Sequence, residues 1–219
     1  EAADVLRRFT DLMEKDPEVV QQVQEFRDPG SITSRMHFFS ALQCRRNGDH
    51  DKEKEHLTQA IARDAADADV LIAMYQLAGQ DDQWREETRK KIVAARQQMS
   101  QRIGRIRQYM RQIDGGGDAT EQKKVREGLA ISCNEYAWLV GNTEGDFDEA
   151  IRLSHESLEL RPNSGGFLDT LAHCYLAKGD PASAVKYQRR AVELEPHSGQ
   201  IVRALERFEE ALQKSKKEQ

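Results

Sequence analysis

The chain has 219 residues, with 33 Lys+Arg against 38 Asp+Glu for a formal net charge of −5; 32% of its residues are charged and 38% hydrophobic, and the mean hydropathy is −0.79. Such a composition suits long helices with much surface, and it excludes a membrane class, because no run approaches the roughly 18 continuous apolar residues of a span. Cys44, Cys133 and Cys174 lie far apart with no CxxC pair, so neither a disulfide framework nor a cysteine zinc site is indicated, and a reducing, cytoplasmic location is expected. The opening EAADVLRRF is too polar for a signal peptide, and since the sequence opens on Glu1 rather than Met, a missing upstream part is an expectation.

In chain order, residues 1–30 read as an N-terminal helical segment: two short helices, the second restarted by Asp16-Pro17 and closed by Asp28-Pro29-Gly30. Residues 31–113 begin with a helix pair around Gly48-Asp49, with Ala60 twelve residues after Gly48 and Ala94 a further 34 on. They end in one long helix over 84–113, where Ala95, Met99, Ile103, Ile106, Met110 and Ile113 recur at three- and four-residue steps. Nine basic and two acidic residues give that helix +7, leaving −12 for the remainder. Residues 114–120, opening Asp114-Gly115-Gly116-Gly117-Asp118, are expected to form a flexible joint.

Residues 129–162 laid over 163–196 coincide at an offset of 34, with Gly145-Asp146 over Gly179-Asp180, Ala150 over Ala184, Ser157 over Ala191 and Pro162 over Pro196. Each mark has a mechanical reason. Gly takes the left-handed conformation that closes a helix, the following Asp caps the next helix, and Pro181 stands at a first helical position where its missing N–H matters least. Ala and Ser on the inner face let two helices approach. These repeats, with a capping helix from Gly199 to about Leu212, make a unit over 121–213; residues 214–219 are expected to be a disordered tail. No segment alternates with period two, so no strand is expected.

Leu168, Leu171, Ala172, Tyr175, Gly179, Asp180, Ala184, Ala191 and Pro196 together resemble the tetratricopeptide repeat. The resemblance is strong over 129–196, fair over 34–66 and weak over 67–99. It implies an all-α fold, a right-handed α-α superhelix of helical repeats, here with one long basic helix and a C-terminal capping helix. Three positions depart from the pattern: Gln188 stands where an aromatic is usual, Glu53 where a small residue is, and Gly141 shortens the first helix of its repeat.

No convergent acid, base or nucleophile set stands out, so no catalytic residue is assigned and an enzyme is not expected. The six histidines, His37, His50, His56, His155, His173 and His197, show no ligand spacing and read as surface residues of helices and loops; no metal or cofactor is implied. His173 and Cys174 are neighbours and point about 100° apart on a helix, so they make no nucleophile–base pair.

The expected function is a non-enzymatic scaffold or adaptor that holds a protein or peptide partner in the concave groove of stacked helix pairs. The resemblance implies groove positions on the first helix of each pair, which here are Phe38, Leu42, Arg45, Glu135, Leu139, Asp169, His173, Leu176, Arg203 and Arg207. Some family members clasp a terminal carboxylate with Lys and Asn there; Phe38, Leu42, Glu135 and Leu139 do not fit such a clamp. A helix or extended segment with an apolar anchor and charge fits better. The alternative is binding of nucleic acid or another polyanion by the basic helix. Against it, basic residues surround that helix rather than lining one stripe, and only Trp84 and Tyr109 are aromatic. Its apolar seam would also serve a homodimer.

Overall fold

The computed structural model describes residues 2–25, 29–77, 81–113, 116 and 118–217, and every regular element among them is an α-helix. They are α1 Ala2–Lys15, α2 Pro17–Gln24, α3 Pro29–Arg46, α4 His50–Arg63, α5 Ala68–Tyr75, α6 Asp82–Ile113, α7 Ala119–Gly141, α8 Phe147–Leu160, α9 Gly165–Ala177, α10 Pro181–Leu194 and α11 Gly199–Lys217. The chain divides into two compact units, Glu1–Ala95 and Arg96–Gln219, so α6 gives its first half to one and its second half to the other.

Most helix starts follow from an Asp or Ser placed before them. Asp16, Asp49, Asp67, Asp118, Asp146, Ser164 and Asp180 each accept a backbone N–H of the first turn, which satisfies a donor the helix itself cannot. The stops at Gly48 and Gly179 are equally local. Both take positive φ, +73° and +88°, and the Asp after each donates its N–H back five residues, Asp49 to the Cys44 carbonyl and Asp180 to the Tyr175 carbonyl. That closure requires a left-handed residue, which Gly supplies without a Cβ clash.

In the first unit α3 packs on α1 and α4, and α5 on α4. Leu57, Ala60, Val70 and Leu71 are fully buried. Trp84 donates its indole N–H to the Met74 carbonyl at 3.0 Å and lies under the Lys54 ammonium, so one of the two aromatics of the basic helix is a packing residue. Glu53, where the repeat usually has a small residue, is 1% exposed and accepts from Arg45 Nε at 2.6 Å. A second Arg45 nitrogen donates to the Ala73 carbonyl at 3.0 Å. The ion pair thus replaces a small-residue crossing with a bolt between α3, α4 and α5.

In the second unit α7 packs on α8 and α9, α9 on α10, and α10 on α11. Ala172, Ala184, Val185, Ala204 and Phe208 form one core cluster and Leu168, Ala191 and Ile201 another. The alanines let α9, α10 and α11 come close enough for Phe208 to be 1% exposed.

Four expectations need correction. Pro29 and Gly30 do not close the second helix; they open α3, where Pro tolerates the first turn, and Asp28 lies outside the described residues. Of the glycine run, Asp114, Gly115 and Gly117 lie outside the described residues, and Asp118 is the cap of α7, accepting from Thr120 and Glu121. The last helix continues to Lys217, because Gln213 to Lys217 contains no helix breaker and places Lys214, Lys216 and Lys217 against the negative helix end. The histidines are not all surface residues: His173 is 8% exposed, and His37 and His56 face each other across α3 and α4 with Nδ1 atoms 3.2 Å apart.

Candidate partner-binding face

The first helices of successive pairs in the second unit are α7, α9 and α11. Where they meet, an open cavity of about 380 Å³ is lined by Asn134 and Trp138 from α7, Asp169 and Thr170 from α9, Gln200 and Ile201 from α11, and Glu195 and Ser198 from the turn between α10 and α11. Its floor is built from the second layer. Gln188 of α10, fully buried, donates through Nε2 to Asp169 Oδ1 at 2.5 Å and to the Ile201 carbonyl at 2.9 Å. The residue that replaces the usual aromatic therefore ties α9 to α11 beneath the cavity. His173 Nδ1 lies 2.9 Å from the Asp169 carbonyl, which can only accept, so Nδ1 carries the hydrogen. Its ring meets Trp138 and Phe208 edge-on at 5.1 and 4.9 Å between centroids. Burial holds the His173 pKa below the usual range, against the opposing pull of Asp169.

Asn134 and Trp138 were not among the expected groove residues, and the reason is a register step. α8 and α10 align at an offset of 34, Phe147 on Pro181 and Leu160 on Leu194, but α7 and α9 align at 35. Tyr136-Ala137 then matches Leu171-Ala172, both pairs buried, and Asn134 and Trp138 match Asp169 and His173. The α7–α8 turn, Asn142–Asp146, holds the extra residue.

The family comparison bears on this same segment. Residues 143–198 match the family model described as tetratricopeptide repeat. Those residues carry the tetratricopeptide repeat. Similar solved structures include the TPR domain of P58(IPK), 15% identical, covering 97% of this chain and 67% of that one with a TM-score of 0.36. They also include Acl4, an assembly chaperone of RpL4, 15% identical over 97% of this chain and 87% of that one, TM-score 0.40. A third is TTC0263, a thermophilic TPR protein of Thermus thermophilus, 16% identical over 82% and 98%, TM-score 0.32. No curated protein sequence matches the chain.

Tetratricopeptide repeats act in general as scaffolds for protein contacts, and the expected groove residues distribute unevenly over this one. Asp169 lines the cavity and His173 lies behind it against Trp138, both largely buried, with Leu176 half-buried one turn on. Arg203 and Arg207 are exposed on α11; Arg203 lies against Gly199 and Arg207 over the Phe208 ring, 5.9 Å from its centroid. Leu139 is fully buried and presents no side-chain surface. Glu135 accepts from Arg102 of α6. In the first unit Phe38 lies beside the Arg35 guanidinium, itself paired with Asp69 at 2.7 Å, Leu42 is half-buried, and Arg45 is held in the Glu53 ion pair.

The basic helix α6 has many of its charges matched locally. Arg107 holds Glu156 through two nitrogens, Arg102 holds Glu135, and Lys90 and Arg85 pair with Glu86, Glu87 and Asp82 along the helix. Arg96 lies against Gly145. No helix among the described residues is long and apolar enough to cross a membrane. Burial pushes the Cys133 and Cys174 thiols up to about 12, so neither supplies a thiolate near neutral pH.

Proposed function

We propose that the protein is a non-catalytic scaffold that holds a segment of a protein partner across α7, α9 and α11 of its second unit. The observation that carries this reading is the open cavity at the junction of the three first helices, where Trp138 gives an aromatic anchor and Asn134, Gln200 and Ser198 give hydrogen-bonding rims. A partner that buries an aromatic or aliphatic side chain on Trp138 gains apolar contact, and the polar rim fixes its direction. The ion pairs along α6 favour this site over the basic helix as the contact surface.

A photo-crosslinking amino acid in place of exposed Gln200, compared with one in place of exposed Arg190 on α10, tests the reading in a lysate of the source organism. A discrete protein adduct from position 200 that is absent from position 190 is expected. Equal adducts from both positions, or adducts from position 190 alone, would remove this face from the account.

A further inference from the structure

The chemistry of the cavity narrows the partner. Two carboxylates line it, Asp169 and Glu195, and no cationic side chain among the described residues does. Asp169 is 5% exposed. Its Oδ1 accepts from Gln188, a neutral amide with both Nε2 hydrogens engaged, and its Oδ2 lies 3.7 Å from a histidine that burial keeps neutral. The Asp169 charge therefore has no full counter-charge beside it. Asn134 Oδ1 is buried and has no hydrogen-bond partner, and Glu195 Oε1 accepts the Gly166 N–H at 3.1 Å. Two carboxylates and an unpartnered amide oxygen thus lie around a cavity walled on one side by an indole. Arg161 lies over the Phe167 ring at 5.5 Å but does not line the cavity.

We propose that this cavity is a subsite for an arginine side chain of the partner segment. A guanidinium is flat enough to lie on Trp138, carries five donors for Asn134 Oδ1 and the two carboxylates, and is more weakly hydrated than an ammonium, which makes it the cation most easily drawn out of water. A neutral guest would cover the Asp169 carboxylate without offering it charge, which is unfavourable. The proposal rests on the groove reading above and adds the identity of its anchor.

Selection of random peptides displayed on phage against the full chain tests it. The selected peptides are synthesised with each arginine in turn replaced by citrulline, the neutral isostere, and titrated by fluorescence anisotropy into wild type, Glu195→Gln and Trp138→Ala, with circular dichroism as a control for folding. Glu195→Gln keeps an oxygen for the Gly166 N–H and should fold normally. The expected result is enriched peptides sharing one arginine, with citrulline there and Glu195→Gln each weakening binding by about tenfold, the scale of a lost charge-assisted hydrogen bond. Peptides that depend on Trp138 but share no arginine, or that tolerate citrulline, would overturn the arginine subsite and leave the groove standing. Failure to enrich any peptide dependent on Trp138 would overturn both.

Discussion

Gly141 is the last residue of α7 and is buried where α7 crosses α9. A Cβ built there would stand 2.9 Å from Cys174 Sγ and 3.0 Å from the Cys174 backbone nitrogen. The sulfur could give way, but the backbone of a packed helix cannot. Gly141→Ala should therefore destabilise by about 1–3 kcal/mol, the range for overpacking a tight core. Gly128, in the same helix, has nothing within 4 Å of its added Cβ, so Gly128→Ala should stabilise by about 0.5–1 kcal/mol from helix propensity alone. Urea unfolding midpoints of the two variants should thus move in opposite directions. Pairing Gly141→Ala with Cys174→Ala should recover only the part of the loss that belongs to the sulfur, and full recovery would show that the two backbones are not in contact.

The helices themselves were largely legible, because their ends are written in short-range chemistry: an Asp or Ser before the first turn, a Gly after the last. Asp180 is the clearest case, with its carboxylate on the Ser183 N–H at 3.0 Å and its pKa held below the ordinary carboxylate value chiefly by that residue's hydrogen bonds. Asp180→Ala should cost about 1 kcal/mol at pH 7. The sign with pH follows from the depressed pKa. The contribution is present above the unfolded carboxyl pKa, near about 3.9, and fades as pH falls through the lower folded value, so the gap between variant and wild type should close in acid. Urea midpoints at pH 7 and at the lowest pH where the chain stays folded check this; a gap independent of pH would mean that the carboxylate charge contributes nothing to the cap. What stayed hidden was the relation between helices. The marks at Gly145 and Gly179 match at 34 residues, but Tyr136-Ala137 and Leu171-Ala172 match at 35, and the latter pairs are the buried ones on the two helices that pack together. The signal that α7 had slipped by one was present in that large-small dipeptide. It was masked by the stronger Gly-Asp match in a turn that tolerates an inserted residue. Glu53 and Gln188 were visible as departures, but their meaning lies in Arg45 and Asp169, partners from other helices that no local spacing brings forward.

At the scale of the whole molecule, both units contain groups whose ionisation burial disfavours, and together they predict a stability maximum bounded on both sides. His37 and His56 in the first unit and His173 in the second have pKa values below the usual range, chiefly through burial. Below the unfolded value of about 6.5 the unfolded chain therefore binds more protons than the folded one, and stability must fall as pH drops from there toward the folded values. On the alkaline side Cys133 and Cys174, both in the second unit, are pushed up to about 12 by burial. An unfolded thiol ionises from about 8.5, so folding loses stability as pH rises from there toward the folded value. Urea midpoints should therefore be highest between about pH 7 and 8 and lower at both pH 5.5 and pH 10. The two limbs have separate origins. Replacing His37 and His56 together by Gln should flatten the acid limb in part and leave the alkaline limb unchanged, whereas Cys133→Ala with Cys174→Ala should do the reverse. A profile that is flat from pH 5.5 to pH 10 in the wild type would contradict the burial of these five side chains, and with it the packing of α3 on α4 and of α7 on α9.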